Sequence, residues 1–213
     1  VGSFLYLAGK INSIGDVNPE IHSRIGQAWT CFYEYSKAIY DNPYIGLATK
    51  VRLLKTEVIE VMLYGCVTWT IAHEKFGALR EAHRGFRLRC FSKHTSSRSA
   101  PDYHMLPYHE VLETTTATVM KRTLLHVGRV ARQHDEPLPN IVMRGVIVGG
   151  KTRIGRPARR LRHCITDYCS YVGINATWWT QVAQDVSEWS RVVKEGASMY
   201  MAVWTEARHA KEL

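Results

Sequence analysis

Twelve consecutive residues, Lys151-Thr152-Arg153-Ile154-Gly155-Arg156-Pro157-Ala158-Arg159-Arg160-Leu161-Arg162, hold six cations and no acid. A protein interior does not take up such a run, because an unpaired charge loses its hydration without recompense. The run is therefore solvated or lies against an anion. Gly155 and Pro157 interrupt any helix before the last arginines, and a helix is expected to start at Pro157, where a missing N–H costs nothing. A helix start offers free N–H groups and the positive end of a dipole, which suits phosphate. The chemistry favoured is contact with a nucleic-acid backbone through Lys151, Arg153, Arg156, Arg159, Arg160 and Arg162. Arg80, Arg84 and Arg87 form a second basic line at i, i+4 and i+7, with Glu81 beside it able to pair with part of it. Nothing resembles a base-reading pattern, so contacts are expected to position the strand and not to select its sequence.

Other chemistries find less support. The chain has no Gly-rich phosphate loop, no Gly-x-Ser-x-Gly and no His-Glu-x-x-His. Asp16, Asp102, Asp167 and Asp185 are scattered, with no motif that would pair carboxylates around two magnesium ions. No catalytic residue is expected. His163, Cys164 and Cys169, with His126 or His209, could be thought of as zinc ligands. However, Cys164 and Cys169 lie five apart on one expected helix and point away from each other, so no metal and no cofactor is expected. Cys31, Cys66 and Cys90 read as small core residues. Trp178, Trp179 and Trp189 could stack on bases, but their spacing makes them the apolar face of a last helix. Trp29 and Trp69 also read as core.

The chain has 213 residues, 46% of them hydrophobic, and a net charge of +9. That apolar content with six Trp describes a folded protein, and the charge favours a polyanionic partner. The charge is concentrated: residues 51–100 carry a net +5 and 151–213 a net +4, while the remaining stretches balance to zero. Five Cys without a dense framework suggest reduced thiols and a nuclear or cytoplasmic location. There is no secretory leader and no apolar run of transmembrane length, so no membrane partner is expected. Because the first residue is Val, a fragment or processed piece is expected.

These residues need elements to place them. Residues 3–14 read as a short β element around Ala8-Gly9, with Gly15-Asp16 as a turn. Asn18-Pro19-Glu20 starts a helix whose buried side is Ile21, Ile25, Ala28, Phe32 and Ile39. A second helix, 47–63, buries Leu47, Val51, Leu54, Val58 and Val61. A third, 73–91, buries Phe76, Leu79, Phe86 and Cys90. A fourth spans 108–132. The fifth starts at Pro157 and buries Leu161, Ile165 and Tyr168. The last runs over 177–210 with Trp178, Val182, Val186, Trp189 and Val193 inward. The expected architecture is mainly α: a short N-terminal β-hairpin, a helical bundle and a smaller basic helical unit.

Several strings also occur in the order found in one family. Phe4-Leu5-Tyr6-Leu7 with Gly9, then Asp16 to Ile21 with Arg24-Ile25-Gly26 and Ala28-Trp29, resemble the primer grip and thumb entry of non-LTR (LINE-like) retrotransposon reverse transcriptases. Lys50-Val51-Arg52-Leu53, Leu63-Tyr64-Gly65-Cys66 with Thr68-Trp69, and Leu125 to Val130 are similar to later segments of that family. Gly155-Arg156-Pro157 with Arg160 and Arg162 resembles its C-terminal signature. Departures include Val67 in place of an acid, and Leu161 and His163 where Trp and Asp are usual. The resemblance implies a primer-grip-like element at 1–15, a thumb-like bundle at 16–100 and a basic C-terminal helical region at 101–213. It also implies an RNA-directed DNA polymerase parent, whose catalytic Asp-Asp motif this chain lacks, so the chain alone is expected to be inactive. RNA or an RNA–DNA hybrid, and the polymerase palm and fingers, are the implied partners. An alternative is a structural or interaction protein re-employed within a ribonucleoprotein.

Overall fold

The computed structural model describes residues 3–6, 9–12, 15–72, 76–92, 114–133 and 159–212. The chain divides into two compact units: Val1–Gly65 with Glu74–Thr115, and Cys66–His73 with Thr116–Leu213. Mainly α architecture with a two-stranded antiparallel hairpin near the N-terminus is what the sequence led us to expect. No helix among the described residues is long and apolar enough to cross a membrane.

In the first unit, β1 (Ser3–Tyr6) pairs with β2 (Gly9–Asn12), Phe4 opposite Ile11 and Tyr6 opposite Gly9. Gly15 then turns the chain at φ +72°, a conformation that a side chain disfavours. Helix α1 (Asn18–Tyr35) carries Pro19 in its first turn, and the Asp16 carboxylate accepts the Asn18 N–H at 3.1 Å. Glu20 holds hairpin and helix together. Although 7% exposed, its carboxylate accepts the Lys10 N–H at 2.5 Å and the Arg24 Nε–H at 2.7 Å. Arg24 in turn lies 4.5 Å over the Tyr64 ring. A buried pair of this kind survives because its remaining hydrogen-bonding groups are satisfied.

Two helices depart from a regular α repeat at their ends. Helix α1 continues as a π-helical turn over Ser36–Tyr40. Helix α2 (Leu47–Leu53) passes through a π turn, Leu54–Val58, into α3 (Ile59–Met62). A π turn adds a residue to the repeat and moves the buried face one position along. That is why Tyr40, at 1% exposed, replaces the expected Ile39, and why Met62 and Leu63 replace Val61. Leu47 and Ile25 are only half-buried. Lys50, 1% exposed, donates from Nζ to the Tyr40 carbonyl at 2.8 Å and so satisfies the end of the first π turn. Helix α4 (Gly77–Ser92) follows Phe76 and buries Leu79, Phe86 and Cys90 completely, as its pattern requires. Phe32 stacks on Tyr40 with centroids 4.3 Å apart and meets Phe86 at 5.5 Å.

The second unit contains the Cys66–Thr68 3-10 turn, α5 (Thr115–Arg132) from Thr116 onward, α6 (Leu161–Tyr171), α7 (Trp179–Val182) and α8 (Val186–Glu212). The helix expected from Tyr108 starts at Thr115, after the non-helical Thr114; residues 101–113 lie outside the described residues. Trp189 is the centre of this unit. It is 1% exposed, and its Nε1–H donates to the Leu124 carbonyl at 3.0 Å. Its indole lies against Gly128, where a Cβ would overlap the ring. Val119, Met120, Tyr168, Cys169 and Val193 complete the core.

The single last helix expected over 177–210 is two. The first piece ends at Val182, and Asp185 caps α8, its carboxylate accepting the Ser187 N–H at 2.8 Å and the Glu188 N–H at 3.0 Å. The break rotates the expected face. Trp178 (54%) and Val186 (61%) are exposed, whereas Trp189 and Val193 remain buried.

Candidate nucleic-acid interface

The basic segment enters the described residues at Arg159. Arg160 has an extended backbone, φ −97° and ψ 155°, and α6 starts after it at Leu161, not at Pro157. The cause is local. The Arg160 carbonyl accepts the His163 N–H at 3.0 Å, while the Arg160 N–H donates to His163 Nδ1 at 3.3 Å. This reciprocal pair satisfies groups that a helix start leaves open, with His in the place usually taken by Glu or Gln. Pro157 and the cations Lys151, Arg153 and Arg156 lie outside the described residues.

Three arginines that are near neighbours in sequence meet different fates. Arg159 turns inward: its guanidinium pairs with the Asp167 carboxylate, and its Nε–H donates to Cys164 Sγ at 3.2 Å. The Cys164 thiol donates on to the Ile71 carbonyl at 3.6 Å, which the Tyr168 hydroxyl also reaches at 3.3 Å. Burial pushes the Cys164 thiol up, with Arg159 opposing, so Cys164 stays a neutral thiol. Arg160 and Arg162 are exposed at the helix start, with the exposed His163 beside them. Arg159 anchors the helix; Arg160 and Arg162 carry the outward charge.

The second basic line is confirmed as one helix but not as uniform charge. Arg84 pairs with Glu81 at 2.9 Å, both exposed, and this holds the Glu81 carboxyl below its usual range. Such a surface pair contributes little to stability and opens readily to another anion. Arg80 and Arg87 are half-buried, and Arg87 lies near enough to His83 to act on its titration. The line Arg80, Arg84 and Arg87 and the group Arg159, Arg160 and Arg162 belong to different units.

The sequence marks Arg89 only as added charge on this helix, and sequence reasoning did not place it against aromatic rings. Its guanidinium lies 5.1 Å over the Tyr33 ring and 5.7 Å over Trp29. The signal was available as aromatics at i and i+4 on α1. Among the described residues no group of three His, Cys, Asp or Glu is placed to hold a metal ion. Cys164 and Cys169 are both buried, and burial pushes the Cys169 thiol up to about 12.

No protein-family model matches the chain, and no solved structure matches it. It is 26% identical over 204 residues to an uncharacterised transposon-derived protein of Caenorhabditis elegans, covering 93% of this chain and 72% of that protein. The likeness therefore extends over nearly the whole chain and suggests that it, too, has its origin in a transposon.

Proposed function

We propose that this chain is the nucleic-acid-holding C-terminal part of a LINE-like reverse transcriptase. In this reading a primer-grip-like hairpin, a thumb-like bundle and a basic helical region hold RNA or an RNA–DNA duplex through the sugar–phosphate backbone. No residue of the chain is given a catalytic role. The observation that carries the reading is the exposure of Arg160 and Arg162 at the start of α6, directly after the basic run 151–158. Two outward guanidinium groups at the positive end of a helix match a phosphate in charge and in donor geometry. Likeness to a transposon-derived protein supports it further.

The test is the salt dependence of binding to an RNA–DNA duplex, followed by fluorescence anisotropy between about 50 and 200 mM salt. Every phosphate that the protein no longer neutralises reduces the slope of log K against log salt by about 1, so changing Arg160 and Arg162 together to Ala should reduce it by about 2. Because both side chains are exposed, the fold should be unaffected. An unchanged slope removes the site.

One observation favours a second reading, a protein-interaction module within a ribonucleoprotein. Met199 (69%) and Val203 (65%) are exposed one turn apart on α8, and Tyr171 is 40% exposed with its ring 6.1 Å from that of Tyr200. Trp189, buried, takes no part. Stable co-purification with one partner, unaffected by Arg160→Ala with Arg162→Ala, favours this reading over the first.

A further inference from the structure

Trp29 and Tyr33 lie one turn apart on α1, and their rings stack with centroids 5.6 Å apart and planes 29° apart. The inner ring is fixed. Trp29 meets Phe86 at 4.2 Å, and it lies over Gly85 of α4, where a Cβ would come within 3.0 Å of the indole. A Cβ there would be tighter than ordinary packing and would push the indole back by a few tenths of an ångström. The outer ring is open: Tyr33 is 52% exposed. Arg89, exposed one turn beyond Gly85 on α4, places its guanidinium over both rings.

A core residue needs no such arrangement. A folded chain gains by burying a large ring, and Tyr33 is left half in water. Two stacked aromatic faces with a planar cation above them are instead the features that receive an unpaired nucleobase. Bases stack on aromatic rings and on guanidinium planes, and the positive charge attracts the adjoining phosphate. We infer that Tyr33, backed by Trp29 and flanked by Arg89, is a stacking site for an unpaired base of single-stranded RNA or DNA. The inference deepens the proposed nucleic-acid-binding function and rests on it, but it uses residues of the first unit only. It gives that unit a role apart from gripping phosphates: holding a strand where it leaves a duplex.

The probe is a short single-stranded oligonucleotide containing 2-aminopurine, whose fluorescence falls when the base stacks, made as RNA and as DNA. The wild-type chain should quench it in both forms. Tyr33→Ala should abolish the quenching and weaken single-strand binding roughly tenfold, the loss of one base–aromatic stack. Tyr33→Leu keeps an apolar cover over Trp29 without a π face and should behave like Tyr33→Ala. Tyr33→Phe should behave like wild type. Arg160→Ala with Arg162→Ala should weaken binding but retain the quenching at saturation. Equal quenching by wild type, Tyr33→Ala and Tyr33→Leu overturns the stacking site while leaving the duplex grip intact. Quenching by the RNA probe alone, or by the DNA probe alone, restricts the site to that strand and overturns its indifference to sugar. A wild-type chain that binds neither single strands nor duplex overturns both proposals.

Discussion

His83 makes the stability of the first unit depend on pH in a calculable way. It lies on α4, 7% exposed, with Nδ1 2.9 Å from the Thr115 hydroxyl and with no partner for Nε2 among the described residues. Burial, and secondarily the Arg87 guanidinium, bring its pKa down from 6.5 to about 4. The folded protein therefore keeps a neutral imidazole where the unfolded chain already binds a proton. Stability from this group is fully present above about pH 6.5, falls as pH drops through that value, and is lost by about pH 4. A tenfold change in proton affinity is about 1.4 kcal/mol, so the full effect is about 3 kcal/mol, and about 2 kcal/mol of it is gone by pH 5. Against a net stability of about 5–15 kcal/mol that is easily seen in urea unfolding. His83→Asn keeps a polar atom facing Thr115 and removes the titrating ring. Between pH 7 and pH 5 the wild type should lose about 2 kcal/mol more than this variant. Parallel stability profiles for the two proteins would refute the assignment of His83 as a buried neutral base.

Two further substitutions test the packing that supports each unit. Lys50→Ala should destabilise the protein by about 2–4 kcal/mol in urea unfolding, because it removes a buried stem and leaves the Tyr40 carbonyl without its 2.8 Å donor. Gly128→Ala should cost about 1–3 kcal/mol for overpacking plus the displaced Trp189 N–H bond to Leu124. Its signature is a red-shifted, more exposed tryptophan emission, and an unshifted spectrum would contradict the geometry.

What could be read from the sequence was set by how local the determining forces are. The hairpin, the helix start at Asn18-Pro19 and the buried positions of α4 depend on turn chemistry and periodicity, and all were legible. The errors at Ile39 and Val61 have a common origin, since Ile39 lies within a π turn and Val61 follows one, each adding a residue. A fixed 3.6-residue repeat has no means of anticipating that insertion. Two other errors were readable in principle. Asp185 three residues before Glu188 is a cap pattern, and it splits the last helix where an unbroken apolar stripe was assumed. At Arg160, His163 closes the helix start three residues after Pro157, a role the usual cap residues do not suggest. The partner of Arg159 was not legible at all, because Asp167 lies eight residues away and approaches only after α6 has formed.

Net charge is therefore a poor map of where this protein can meet a polyanion. Arg24 and Lys50 are cations of the interior: one is held by Glu20 under the Tyr64 ring, the other by a backbone carbonyl. Each is costly to expose and unsuited to a ligand, since withdrawing it would leave a buried acceptor without its donor. Arg159 is spent on Asp167 and Cys164, Arg84 is shared with Glu81, and Arg191 is shared with Glu188 and Glu195. The same side chain thus serves opposite ends, and what separates them is the depth of the acceptor that it meets. Arg160 and Arg162 differ from Arg159 by one and three positions, yet they stand in solvent while Arg159, half-buried, is drawn to Asp167 and Cys164. The Arg160–His163 pair closes the helix start, and Arg159 braces it from one side while the other two arginines stand outward. In the proposed phosphate contact Arg160 and Arg162 meet the strand, while Arg159 and Asp167, a partly exposed pair of modest energy, serve only as a brace behind them.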